Sequence, residues 1–434
     1  MELVLASFYG ILAGILVGLL PGLGTTAFLI ICFPFLIKQS LLFCILFYCV
    51  LSSTSQYFGS ITTLTLGIPG ENTSLPLFSI RKKIIENSNL NQVYYLCALG
   101  SLLASLLSCV LLYLSIDFFY TNIFYLKSYF SLFFAILGFI LCIFYSNNRP
   151  LYSFILLLFG WFLGKIGYNE ITNTSFMTFN NPYLYSGIPT LPAIMGVYAL
   201  PSLYFMFKRL NTKKADLKFE NFDILKSSLT NSLTIFRASL IGFISGLIPY
   251  IGNGISSNLA FNIEKKLSPN NHIAQATASE SANNSANIAV LIPLLILGVA
   301  IIPSEFVLLE IIASSNTFVS WKDLSNNFLW IIIFLLITNI ISFYVSWNCI
   351  QLFNKFVVRM SIILPVLLSV FVISSIFFLG FELSQGSFYL LVLVCFFLLG
   401  LVLNGFDLLP FIYAFLLQNN VEQIFYRFYQ IYIL

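Results

Sequence analysis

Polar side chains are scarce in this chain, and those able to do chemistry fall into two groups. The first is a set of oxygen donors. Glu280, Asn283 and Asn284 lie in Gln275-Ala276-Thr277-Ala278-Ser279-Glu280-Ser281-Ala282-Asn283-Asn284-Ser285-Ala286-Asn287, which runs straight into the apolar Ile288 to Leu297. Ser52 and Ser53 open a second polar patch, continuing through Thr54, Ser55, Gln56 and Tyr57 to Ser60. Such a patch is costly against lipid and should face protein or water. Carboxylate, amide and hydroxyl oxygens are the ligands a coupling cation takes, and a carboxylate can also carry a proton. Asparagine at the head of a helix is equally able to cap it, so Asn283 and Asn284 read either as ligands or as caps of the helix that follows.

The second group acts through the backbone. Pro21-Gly22-Leu23-Gly24-Thr25-Thr26 interrupts an apolar helix where a membrane span should be continuous. Proline removes a donor and clashes with the preceding turn, while glycine permits the sharp angles that follow. A helix opening there offers unpaired N–H groups and about half a positive charge, which suits an anion, with the Thr25 and Thr26 hydroxyls alongside. Ser60 and the second break, Gly67-Ile68-Pro69-Gly70, supply the same kinds of group, as do Gly252, Asn253, Gly254 and Ser256 downstream. No Lys or Arg adjoins either motif, so the backbone is expected to supply the positive potential. The bland reading of these glycines is a hinge or a close-packing helix face.

These residues need membrane helices to hold them. Of 434 residues 59% are hydrophobic, 17% aromatic and only 8% charged, where a soluble domain carries about 25% charged residues. The fold class is therefore an all-α polytopic membrane protein, with about ten to twelve transmembrane segments at ~20 residues each. Gly14, Gly18, Pro21 and Gly24 each meet the same residue type 228 positions on, at Gly242, Gly246, Pro249 and Gly252. A shift of 231 carries Leu66-Gly67 to Leu297-Gly298 and sets Ser52 and Ser53 opposite Asn283 and Asn284. Two repeats with broken, re-entrant helices are expected.

The basic loops order the chain. Arg81-Lys82-Lys83 and the run from Lys208 to Lys226 read as cytoplasmic, with four apolar segments between them near Val93 to Ser115, Ser128 to Tyr145, Leu151 to Leu163 and Gly187 to Phe207. The loop around Trp321-Lys322-Asp323 lacks that positive excess, which favours repeats of inverted orientation. The expected organisation is a first repeat over 1–115, connecting helices over 116–207, a basic linker over 208–233, a second repeat over 234–350 and C-terminal helices over 351–434. Met1-Glu2-Leu3 carries no basic leader, so the first apolar run reads as a retained span. The eight cysteines sit in apolar segments and read as small core hydrophobes; His272 reads as a solvated loop residue.

The ordered set resembles the TctA family, the large membrane subunit of the tripartite tricarboxylate transporters. The likeness rests on Gly18-Leu19-Leu20-Pro21-Gly22-Leu23-Gly24, Tyr57-Phe58-Gly59-Ser60-Ile61 with Gly67-Ile68-Pro69-Gly70, Ile166-Gly167-Tyr168-Asn169 with Phe176-Met177-Thr178-Phe179-Asn180 and Ser186-Gly187-Ile188, and Glu280-Ser281-Ala282-Asn283-Asn284-Ser285-Ala286. The chain departs from the family pattern in carrying Pro249-Tyr250 for a second Pro-Gly and Val299-Ala300-Ile301 for a second Ile-Pro-Gly. The resemblance implies an ion-gradient-driven secondary carrier importing tri- or dicarboxylates across the inner membrane, with a small membrane subunit and a periplasmic substrate-binding protein as partners.

Pro21, Gly22, Gly24, Thr25, Thr26, Ser60, Pro69, Gly70, Gly252, Asn253, Gly254 and Ser256 are thus the expected substrate-binding set. Ser52, Ser53, Glu280, Asn283 and Asn284 are the expected cation-coupling set, with Na+ or H+ as coupling ion and no other cofactor. A channel should show a filter or charged ring, and an enzyme clustered His, Cys or carboxylates; neither pattern is visible. The competing readings are a stand-alone carrier for another small organic anion and a degenerate membrane subunit that does not transport.

Overall fold

The computed structural model describes residues 1–20, 24–66, 72–145, 149–169, 174–180, 182–185, 187–188, 220–248, 252–297, 300, 302–314, 321–350, 352–353, 370, 397–401, 403–406, 408 and 410–415. The first five helices are α1 (Glu2–Leu19), α2 (Thr25–Leu36), α3 (Leu41–Leu66), α4 (Leu75–Asn87) and α5 (Leu90–Tyr145), with a 3₁₀ turn at Asn72–Ser74 before α4. Next come α6 (Pro150–Lys165), a hairpin of β1 (Gly167–Asn169) and β2 (Thr174–Phe176), and the single turn α7 (Pro182–Tyr185). Five more follow: α8 (Ile224–Gly246), α9 (Gly252–Leu267), α10 (His272–Ala289), α11 (Pro303–Ser314) and α12 (Trp321–Asn348).

Among the described residues four helices are long and apolar enough to cross a membrane, over Glu2–Leu19, Leu41–Thr65, Leu90–Ser115 and Asn327–Asn348. The apolar and small residues are arranged as lipid demands. On α1, Leu5, Phe8, Leu12 and Leu16 are exposed, while Gly10, Gly14 and Gly18 face α3. A Cβ on Gly14 would lie 2.9 Å from the Leu51 carbonyl oxygen, so only glycine lets the two backbones approach this closely. On α8, Leu229, Leu233, Phe236 and Ile244 are exposed, and Gly242 and Gly246 face α10. There a Cβ on Gly246 would sit 2.7 Å from Ala286 Cα.

The two glycine contacts share one register. The shift of 228 carries Gly14 and its neighbour Thr54 to Gly242 and its neighbour Ala282; it also carries Gly18 and Phe58 to Gly246 and Ala286. Helix pairings correspond in the same way. α1 packs on α3 as α8 packs on α10; α2 on α11 as α9 on α4; α10 on α5 as α3 on α12. The last two correspondences join elements from different ends of the chain, so the polar helix of each set is enclosed by a long helix of the other.

Three sequence expectations change. Val93–Ser115 and Ser128–Tyr145 belong to one continuous helix of 56 residues, α5, so the expected boundary after residue 115 falls inside an element. No glycine or proline lies between 115 and 128 to end it. Asn283 and Asn284 are not at the head of a helix but deep inside α10, whose cap is Asn271, its Oδ1 accepting from Ala274 N at 3.0 Å. His272 is half-buried in the first turn of α10, with Nδ1 3.2 Å from Gln275 Oε1, rather than a loop residue. The described cysteines Cys32, Cys44, Cys49, Cys97, Cys109 and Cys349 are free thiols. Of the segment expected over Gly187–Phe207, all but residues 187 and 188 lie outside the described residues.

Candidate functional site

The polar centre of the molecule is the crossing of α3 and α10. Every residue of α10 from Ala274 to Ala289 is buried, although the helix is made largely of Ser, Thr, Asn and Ala. Buried polar groups must find partners, and here they find them across the crossing. Ser52 Oγ donates to Asn287 Oδ1 at 2.7 Å, and Asn283 Nδ2 donates to Gln56 Oε1 at 2.7 Å. A shift of 231 relates Ser52 to Asn283 and Gln56 to Asn287, whereas the glycine contacts pair the same two helices at 228, which sets Ser52 against Glu280 and Gln56 against Asn284.

The flanking residues bond outward. On α3, Ser53 Oγ and Tyr57 OH both donate to Asn339 Oδ1, at 2.8 and 2.9 Å, and the Thr54 and Ser342 hydroxyls lie 3.0 Å apart. On α10, Asn284 Nδ2 donates to Ser101 Oγ at 2.7 Å, and Ser285 and Ser108 pair at 2.6 Å. Ser52 and Ser53, expected opposite Asn283 and Asn284, are not their direct partners. Gln56, Asn287 and Asn339 carry as much of the crossing as the residues the sequence singled out.

Not every group is satisfied. Glu280 Oε1, Asn283 Oδ1 and Asn284 Oδ1 are buried acceptors without a hydrogen-bond donor among the described residues, and Gln56 Nε2 is likewise unpartnered among them. An orphaned buried acceptor costs ~1–3 kcal/mol. Positions 280, 283 and 284 share one face of α10, because residues three and four apart are helical neighbours. Both amide nitrogens are already held, by Gln56 and by Ser101, which leaves each carbonyl oxygen as the free end. One carboxyl and two amide oxygens on a buried helix face are hard-oxygen ligand types.

The broken helices meet this centre from the side. α2 opens at Gly24, its N-cap, with Thr25 buried and Thr26 half-buried. α9 opens at Gly252, and Asn253 and Gly254 in its first turn are half-buried. Ser245 Oγ donates to the fully buried Ser256 Oγ at 2.6 Å, bridging the end of α8 to α9. Ser257 then ties α9 to the turn before α4, donating to Thr73 O at 2.7 Å, while its hydroxyl lies 2.7 Å from Ser279 Oγ on α10. Thr73 Oγ1 in turn points to Gln56 Oε1 at 3.5 Å. The start of α9 is thus wired to the polar crossing, whereas Thr25 and Thr26 sit on a helix that packs on α11. Ser60 turns to its own helix, donating to Tyr57 O at 3.3 Å. Pro21, Gly22, Pro69 and Gly70 lie outside the described residues.

A positive charge does stand beside a break, contrary to expectation. α4 folds back so that Arg81, half-buried, donates from Nε to Leu64 O at 2.8 Å and from Nη2 to Thr65 O at 3.0 Å. Those carbonyls end α3. The i+4 partner of Thr65 would be Pro69, which has no N–H to give. The sequence signal was present in Arg81-Lys82-Lys83 but reads as a topology marker. A second buried charge, Glu264, pairs with Arg237 and also accepts from Thr234 Oγ1 at 3.3 Å, pinning α8 to α9. In the hairpin region Gly167 and Gly187, both with positive φ, close against each other.

A bundle of apolar helices around one polar helix, buried from Ala274 to Ala289, defines the chain as an all-α polytopic membrane protein. Residues 4–413 match the tripartite tricarboxylate transporter TctA family, and the chain belongs to it. It is 26% identical over 302 residues to an uncharacterized 52.8 kDa protein of the TAR-I ttuC' 3' region of Agrobacterium vitis. That match covers 67% of this chain and 60% of the relative, so the chain spans less than two thirds of the relative's length. No solved structure matches.

Proposed function

We propose that this protein is the permease subunit of a secondary carrier for small carboxylates, tri- or dicarboxylates first, in the inner membrane. The reading makes it a carrier and not an enzyme, working with a small membrane subunit and a periplasmic substrate-binding protein as the family name implies. The observation that carries it is the trio of buried oxygens on α10 without donors among the described residues, Glu280 Oε1, Asn283 Oδ1 and Asn284 Oδ1. A cation bound by all three would satisfy them together. A proton on Glu280 gives one new donor and leaves an amide oxygen orphaned, so sodium fits the count better than a proton.

The matched glycine contacts and helix pairings support a duplicated core, with repeats expected over 1–115 and 234–350 related by inversion in the membrane. In such carriers the coupling site lies where the repeats meet, and the α3–α10 crossing is that place. Radiolabelled citrate uptake into proteoliposomes tests the reading. Uptake that rises with an inward sodium gradient and persists under a pH gradient of either sign is expected. Absence of uptake, with the companion subunits supplied, would favour the degenerate, non-transporting subunit.

A further inference from the structure

We propose that Arg81 is a carboxylate-binding residue, held by the end of α3 so that one edge of its guanidinium is reserved for an anion. The inference rests on the carboxylate reading above and adds the cationic contact that the sequence lacked. Among the described cations Arg81 is unusual. Lys82, 88% exposed, lies 4.0 Å from Glu86, and Arg237 is paired with Glu264, but Arg81 turns inward without a described carboxylate beside it.

The geometry separates the two edges of the side chain. Nε and Nη2 face the Leu64 and Thr65 carbonyls, which uses the lateral edge. Nη1 makes no hydrogen bond among the described residues, so the terminal edge of Nη1 and Nη2 is left. Two parallel N–H groups on that edge match the two oxygens of a carboxylate. The anchoring carbonyls are themselves steadied, because Thr65 Oγ1 lies 3.2 Å from the buried Tyr94 hydroxyl. Fixing the guanidinium before a ligand arrives removes much of the rotamer entropy that binding would otherwise lose. A cap on the helix end needs only a positive charge near the carbonyls, which lysine also supplies; the fork with a spare edge is what a cap does not require.

The test is equilibrium binding of radiolabelled citrate, succinate and acetate to the full-length protein in proteoliposomes at fixed sodium, for the parent, Arg81→Gln and Arg81→Lys. Citrate affinity should fall on the order of tenfold or more in Arg81→Gln, as expected for loss of a bidentate charged pair, and by a smaller factor in Arg81→Lys. Sodium half-saturation at saturating citrate should stay at the parent value in both. Arg81→Lys keeps the charge at the helix end and so decides the question if Arg81→Gln does not fold. A parent that binds none of the three acids overturns the carboxylate reading and this inference with it. A parent that binds citrate, with both folded variants binding equally well, leaves Arg81 a helix cap and overturns this inference alone.

Discussion

Asn284 shows how a residue's role follows from which of its atoms is committed. Its amide nitrogen is bonded to Ser101 Oγ at 2.7 Å, and its oxygen has no donor among the described residues. Replacing Asn284 by Leu removes that oxygen without adding charge, so the sodium half-saturation of uptake should rise several-fold while citrate affinity at saturating sodium changes little. Glu280→Gln removes the only carboxylate of the set, so gradient dependence should collapse. Initial uptake rate against sodium concentration reads both; parental half-saturation in each, at normal protein levels, would remove the cation assignment. Sequence alone identified these oxygens as ligand types, yet it set the asparagines at a helix head. It missed Gln56 and Arg81 because glutamine in a hydroxyl run and arginine in a basic loop both have ordinary explanations. Which atoms are free is a property of packing, and no spacing rule conveys it.

α10 is the element hardest to read in advance and the most informative once seen. Serine, threonine and asparagine favour caps and turns over helix interiors, so a stretch such as Ala274 to Asn287 reads as a helix start. Burial on all sides reverses that preference, since small polar residues let α8, α5 and α3 approach and then bond across the contacts. The glycine faces were legible, because Gly14 and Gly18 have register partners at Gly242 and Gly246. Their cost follows from the contacts. A side chain at Gly18 would meet the Ser55 carbonyl oxygen and Phe58 Cβ, and one at Gly242 would meet Ala282. Gly18→Val and Gly242→Val should each destabilise by ~1–3 kcal/mol or more through overpacking, seen as a lower melting temperature in detergent. Gly24→Val is different in kind. Gly24 is an extended N-cap at φ −69° and ψ 160°, a conformation a valine adopts. The variant should fold and insert, yet lose uptake if the N–H groups at that helix start hold the substrate; parental uptake would remove Gly24 from the binding set.

At the scale of the whole molecule the question is how the two halves of the chain face the membrane. Tyr95, near the start of α5, packs its ring 5.0 Å from that of Trp347 and 6.3 Å from that of Phe343, near the end of α12. Phe222, just before α8, joins the same cluster at 5.5 Å from Tyr95. The start of α5 thus lies beside the end of α12, and the two long helices run in opposite directions. α5 follows α4, which carries Lys82 and Lys83. α12 has 28 residues, so at ~1.5 Å per residue it extends ~42 Å and overspans a hydrocarbon layer of ~30 Å. Its beginning, Trp321 and Lys322, is therefore expected on the far side from Trp347 and from Lys82. Cysteines introduced at Lys82 and Lys322 should label with an impermeant maleimide from opposite faces of inside-out and right-side-out vesicles. Labelling of both from one face would rule out inversion, and would leave the shared register of the Gly14 contact on α3 and the Gly242 contact on α10 as a likeness of two helix pairs rather than the mark of a two-fold axis in the membrane plane.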